Sequence, residues 1–291
     1  MSSLFWRYAI TFLLYPGGVF ALIAGWFLLM LGEKLASTWR GTRSPRLTQP
    51  VHDFLKLLGK TTSLPAGAEN GGVRALTYMA VIAPLLTLLL MPLPGNAAAG
   101  TADTNGDLLA VLLLTLLPAL TPFFLGQLQQ SPYARRVAQH TLLRSAGLIA
   151  LTLLSTLAIA AQRSALNLGA IAAAQVHPTT ASVALDIVAG LIFWCCLPAL
   201  VPPARWGLFR GDLTYIAGSY TDLTGADLAL LQLSAALQRV AAGSFLALVF
   251  ILPFAPRNPA AQVIVYLAAL LVSGLWVGLA AAISRRYSFA R

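Results

Sequence analysis

Charge is scarce in this chain of 291 residues: Asp, Glu, Lys and Arg together make up 10%, where a soluble domain carries roughly a quarter. With 58% hydrophobic residues and a mean hydropathy of +0.78, that shortage excludes a largely water-facing globular surface. There are two cysteines, Cys195 and Cys196. Adjacent and inside an apolar run, they frame neither a disulfide scaffold nor a metal-ligand spacing; they read as small packing residues or, alternatively, as redox centres. Three histidines, His52, His140 and His177, are scattered, and no P-loop, dinucleotide fingerprint or nucleophile–base motif occurs. No residue is therefore assigned as catalytic or as a metal ligand, and the chain alone is expected to hold no cofactor and turn over no substrate. Acids are scarcest of all: nine residues, with Glu33 and Glu69 the only glutamates.

What is present is a series of apolar runs of about 20 residues with short polar breaks, the pattern of an all-α polytopic membrane protein. Seven spans are predicted in a single membrane domain covering 1–291: about 8–31, 75–91, 108–125, 145–161, 183–200, 227–253 and 261–283. The first run lacks a small-residue cleavage site and exceeds a signal-peptide core, so it reads as a retained helix. Pro118 and Pro122 predict a kink in the third. A basic loop, Gln127 to Arg144, carries Arg135, Arg136 and His140, and a longer polar connection runs from Val201 to Asp227. Trp6, Trp39, Trp194 and Trp206 read as interfacial anchors.

The net charge of +10 invites a nucleic-acid partner, but its placement argues against one. One side of the predicted topology holds Lys34, Arg40, Arg43, Arg46, Lys56, Lys60, Arg74, Arg135, Arg136, Arg144, Arg205, Arg210, Arg285, Arg286 and Arg291, which is 15 of the 19 basic residues. The other side has Arg7, Arg163 and Arg257, and Arg239 lies inside the sixth span. Such asymmetry is the positive-inside signal. It predicts an N-terminus outside and a C-terminus in the cytoplasm, in a bacterial or archaeal cytoplasmic (inner) membrane.

The stretch Trp39 to Lys60 concentrates the basic residues. Arg40, Arg43 and Arg46, broken by Gly41, Ser44 and Pro45, predict a basic non-helical connection. Thr48 or Gln49 then caps a short helix over about 50–60 with Pro50 at its first position. Val51, Phe54, Leu55 and Leu58 recur there at helical spacing, with Asp53, Lys56 and Lys60 elsewhere. The simplest reading is an amphipathic helix on the cytoplasmic side, apolar face in the interface and lysines toward lipid phosphates. Within the sixth span, Gln232, Gln238 and Arg239 are intramembrane polar residues. An arginine there is a functional candidate by default, and equally a residue that snorkels or pairs across helices.

Two motifs resemble those of a known family. The order Gly41-x-Arg43-x-Pro45, Gln49-Pro50-x-x-Asp53-Phe54-x-Lys56-Leu57-Leu58-x-Lys60 is similar to the loop and amphipathic helix after the first span of the heel subunit of respiratory complex I. It is closer still to the counterpart in membrane-bound [NiFe] hydrogenases and formate hydrogenlyases. Asp212-Leu213-Thr214, followed by Asp222-Leu223-Thr224-Gly225-Ala226-Asp227-Leu228-Ala229-Leu230, resembles the family's acid-rich loop and the helix it opens. Gly106-Asp107-Leu108-Leu109 and Ser131-Pro132-Tyr133 fall between them in family order.

The resemblance implies a membrane anchor and coupling subunit beneath a cytoplasmic redox-type module. Its partners would be hydrophilic hydrogenase-like and iron–sulfur subunits, antiporter-like membrane subunits and lipid, with no nucleic acid. Iron–sulfur clusters and a [NiFe] centre would belong to those partners. Arg40, Arg43, Arg46, Gln49, Asp53, Lys56, Arg135 and Arg136 would face the docked module. Asp212, Asp222 and Asp227 are left as either a proton relay or caps and counter-charges of the sixth helix. The sequence also departs from the family: Thr141, Cys195 and Ala204 stand where acids are expected, and the chain ends where an eighth span usually follows. The expectation is a degenerate intramembrane proton path. The alternatives are a stand-alone secondary transporter, against which the lack of internal repeats counts, and a quinone-site membrane subunit.

Overall fold

The computed structural model describes residues 13–15, 17–41, 46, 48–63, 67–94, 106–129, 131–174, 180–201, 220, 223–256 and 258–289. Among them, seven helices are long and apolar enough to cross a membrane. The chain is an all-α polytopic membrane protein. Its described helices are α1 (Gly18–Arg40), α2 (Gln49–Leu58), α3 (Asn70–Leu90), α4 (Leu108–Leu128), α5 (Pro132–Arg163), α6 (Leu168–Ala174), α7 (Thr180–Leu200), α8 (Ala226–Leu246) and α9 (Pro259–Phe289). α8 continues through a π-helical turn, Ala247–Ile251, and a 3-10 turn, Leu252–Phe254.

Three boundaries differ from the sequence expectation, each for a local reason. The first crossing helix starts at Gly18 rather than near Tyr8, because Pro16 and the Gly17–Gly18 pair interrupt the apolar run. It then continues to Arg40, beyond the non-helical start expected there, and ends where Gly41 adopts a left-handed conformation (φ 66°) and its N–H bonds Ser37 and Thr38 carbonyls. The expected basic loop 127–144 is mostly helix. Pro132 opens α5 at its first turn, and Ala134, Val137 and Ala138 are buried at helical spacing, so Arg135, Arg136 and His140 stand on an exposed helical face. α4 runs through Pro118 and Pro122 without ending.

The core is arranged around α8, which is buried on nearly all sides. Ser234, Ala235, Ala236, Ala241, Ala242 and Gly243 make it thin, so neighbouring backbones come close. It packs against α1, α3 and α9, and at its first turns against α2. Pro84 in α3 has no N–H and orphans the Ala80 carbonyl; Ser234 Oγ donates to it at 2.6 Å. Ser244 and Tyr266 hydroxyls meet at 2.8 Å between α8 and α9. Trp194, expected as an interfacial anchor, instead stacks on Trp276 (centroids 4.7 Å, 26°). At the other edge, Tyr15 donates its hydroxyl to the Pro94 carbonyl at 2.7 Å; burial holds that phenol above its ordinary pKa, so it stays a donor.

Candidate docking surface and the buried charges

One end of the bundle gathers the C-terminus of α1, all of α2, and the N-termini of α3, α5 and α8. Glu69 N–H donates to the Leu128 carbonyl at 3.2 Å, joining the start of α3 to the end of α4. Ser63 N–H donates to Thr224 Oγ1 at 2.9 Å, joining the segment after α2 to the approach to α8. Gly225, the N-cap of α8, has φ 71°. A Cβ there would stand 2.8 Å from the carbonyl oxygens of Lys60 and Thr61, so glycine is required both for the backbone conformation and for the contact.

α2 lies on this end with no residue fully buried. Thr48 is its N-cap but makes no side-chain capping bond, and Gln49 and Pro50 begin the helix. Its inner face differs from the expected stripe. Val51, Phe54 and Leu57 are half-buried, and Phe54 meets Trp26 edge-on at 5.5 Å. Leu55 and Leu58 are 57% and 44% exposed. The apolar surface therefore wraps around α2, part of it against the bundle and part facing outward.

The predicted site residues divide accordingly. Arg46, Gln49 and Lys56 are exposed, as are Arg135 and Arg136 on the first turn of α5, and Asp53 is half-buried. Arg40 is the last residue of α1. Arg43, Asp212 and Asp222 lie outside the described residues. Asp227 is buried on the first turn of α8, where an acid complements the helix N-terminus, but Gly225 rather than Asp227 occupies the cap.

Deeper in the bundle, Gln232 is half-buried and Gln238 fully buried. Gln238 Nε2 donates to the Thr115 carbonyl at 2.5 Å and to the Leu200 carbonyl at 3.2 Å. It thus ties α8 to α4 and to the last residue of α7, whose carbonyl has no intrahelical donor. Gln238→Leu is expected to destabilise the chain by about 1–3 kcal/mol, the range for stripping a buried carbonyl of its donor. A thermal melt in mild detergent that matches the unsubstituted chain would refute that role.

Arg239 is buried in α8, and Glu33 of α1, also buried, is the acid whose charge acts on it. Shifting α1 forward places Glu33 inside the span, roughly 10 Å from the helix end at about 1.5 Å per residue, rather than at the margin where the 8–31 span would leave it. The second buried couple was not anticipated. Arg163 at the end of α5 reaches Asp186 of α7 at 2.5 Å and donates to the Ile171 carbonyl of α6 at 3.0 Å. Asp186 is the lone acid in the fifth apolar run, which was the available signal; Arg163 looked like an ordinary loop charge. Cys195 is exposed and Cys196 buried, both as free thiols. Among the described residues, no three His, Cys, Asp or Glu side chains assemble as a metal-holding group.

Comparison with known proteins agrees with the motifs. No curated protein matches the chain. A solved structure described as that of the membrane-bound sulfane sulfur reductase, an archaeal respiratory membrane complex, contains a similar chain. The two share 20% identity over 98% of this chain and 99% of the other, with a TM-score of 0.72, a likeness of fold. The model of the family described as NADH dehydrogenase matches residues 10–289, nearly the whole length, and the chain belongs to that family of complex I-type membrane subunits.

Proposed function

We propose that the chain is the membrane anchor and coupling subunit of a complex I-like or energy-converting hydrogenase-like complex. It docks a cytoplasmic redox-type module, built of hydrogenase-like and iron–sulfur subunits, beside antiporter-like membrane partners. The iron–sulfur clusters, and a [NiFe] centre where there is one, belong to those partners. The observation that carries this reading is the surface of α2: outward-facing Leu55 and Leu58 flanked by exposed Arg46, Lys56 and Lys60, with Arg135 and Arg136 on α5. Apolar anchors within a basic rim suit a protein partner. The crowding of Lys and Arg at alternate ends of the spans supports reading this as the cytoplasmic end.

In this reading the intramembrane proton path is degenerate. Two buried carboxylates, Glu33 and Asp186, each lie within the field of an arginine. Arginine does not release its proton in proteins, so these partners serve as fixed counter-charges and not as relay groups. Coupling then passes through neighbouring membrane subunits.

The test is purification of the chain from its native membrane in mild detergent, with mass spectrometry of what accompanies it. Recovery with hydrogenase-like, iron–sulfur and antiporter-like chains is expected; recovery as a lone monomer or homo-oligomer would overturn the anchor reading in favour of a transporter. Charge reversal at Arg43, Arg46, Lys56 and Lys60 is expected to cut recovery of the peripheral chains at least tenfold, about 1.4 kcal/mol of binding, with the antiporter-like chains retained. Undiminished recovery would remove these residues from the docking surface.

A further inference from the structure

At the opposite end of the bundle from α2, a groove of about 330 Å³ opens between α7, the π-helical turn after α8, and α9. Its walls are apolar, with Leu191, Trp194, Phe250 and Val272 among them, and the exception is Asp186. Phe250 packs on Gly190, where a Cβ would stand 3.2–3.4 Å from the ring and its Cβ, so the glycine sets how close the turn approaches α7. Single π-turns of this kind recur at functional sites.

Asp186 makes the groove more than a gap between helices. Its side chain is 3% exposed. One carboxylate oxygen holds Arg163, and the other, Oδ1, is buried with no hydrogen-bond partner among the described residues. A buried carboxylate oxygen left without a donor is costly. The depth is also informative. The span containing Asp186 begins at Ser182, so at about 1.5 Å per residue Asp186 lies roughly 6 Å inside it, and Trp194 roughly 12 Å further. The polar end therefore sits near the boundary between headgroups and acyl chains, and the apolar walls run into the hydrocarbon.

We infer that this groove binds one bilayer phospholipid bearing a primary ammonium headgroup, its N–H donating to the Asp186 carboxylate at the polar end and an acyl chain lying against Leu191, Trp194 and Phe250. An ionised carboxylate is an acceptor only. It therefore favours a headgroup with N–H donors over a choline headgroup, which has none, and over a quinone, whose carbonyls are acceptors too. A partner's transmembrane helix would present an apolar face and satisfy its own backbone donors internally, leaving none for Asp186.

The experiment places the full chain in phosphatidylcholine nanodiscs doped with phosphatidylethanolamine carrying a photoactivatable acyl chain. A phosphatidylcholine with the same reactive chain serves as the comparison, and labelled residues are located by mass spectrometry. The ethanolamine probe is expected to label the groove at least tenfold more than the choline probe. Asp186→Asn should abolish that preference. Val272→Trp, at the rim and remote from the ion pair, should reduce labelling by both probes while leaving the fold intact. Equal labelling by the two probes in the unsubstituted chain would reduce the groove to ordinary annular lipid and overturn the assignment, without involving any variant. So would protection of the groove by a partner's transmembrane segment in the intact complex. Neither result bears on the docking of the peripheral module.

Discussion

Glu33→Ala and Arg239→Ala are each expected to destabilise the chain by about 3–5 kcal/mol, while Glu33→Met combined with Arg239→Met restores most of that loss. The asymmetry follows from where the couple sits. Both side chains are buried, Glu33 at 7% and Arg239 at 8% exposure, one on α1 and one on the central helix. Removing one leaves the other buried in a low-dielectric interior without the opposite charge that acts across α1 and α8. Removing both replaces two desolvated ions by apolar side chains. The measurement is a thermal melt of the detergent-purified chain, followed by size exclusion. Each alanine variant should fall by roughly ten degrees or more, and the double methionine variant should recover. If the double variant is as unstable as the sum of the singles, the two residues act independently and the couple is not a unit.

The seven spans, the amphipathic helix and the family motifs were legible because each rests on local signals: apolar run length, helical spacing and residue order along the chain. The charges that matter inside the bundle were not. Glu33 looked marginal because the first apolar run appeared to begin at Tyr8, and shifting the helix start to Gly18 moves it inward. Arg163 and Asp186 are 23 residues apart, on different helices, and only the packing of α5 on α7 brings them together. Leu57 rather than Leu58 turns inward on α2 because Trp26 and α8 decide which part of a broad apolar stripe is covered, and no periodicity in ten residues contains that information. In the sequence the small residues of α8 are indistinguishable from those of an ordinary span. Their consequence, a thin helix that its neighbours approach closely, emerges only when the partners are in place.

The same kind of close approach gives the largest expected loss. Gly274 and Gly278 stand four apart on α9, the spacing that lets two membrane helices meet backbone to backbone. A Cβ on Gly278 would collide with the Gly32 backbone of α1, and a Cβ on Gly274 would lie 2.6 Å from Leu28 Cδ2. Overpacking a core ordinarily costs about 1–3 kcal/mol, because side chains give way. At Gly278 the obstacle is main chain, so the helices themselves must separate. Gly32 precedes Glu33, so displacing α1 here also pulls Glu33 from Arg239 and adds the penalty of that couple. Gly278→Leu is accordingly expected to exceed 4 kcal/mol, the range reserved for disrupted cores and stranded charges, and to leave little monodisperse protein on size exclusion. Gly278→Ala should be milder, since one methyl asks for a smaller displacement. Gly147 of α5 provides the control: nothing lies within 4 Å of a Cβ there, so Gly147→Leu should be neutral or slightly stabilising through helix propensity, by up to about 1 kcal/mol. Equal behaviour of Gly278→Leu and Gly147→Leu would show that α1 and α9 do not meet at this point, and would also remove the packing that holds Glu33 beside Arg239.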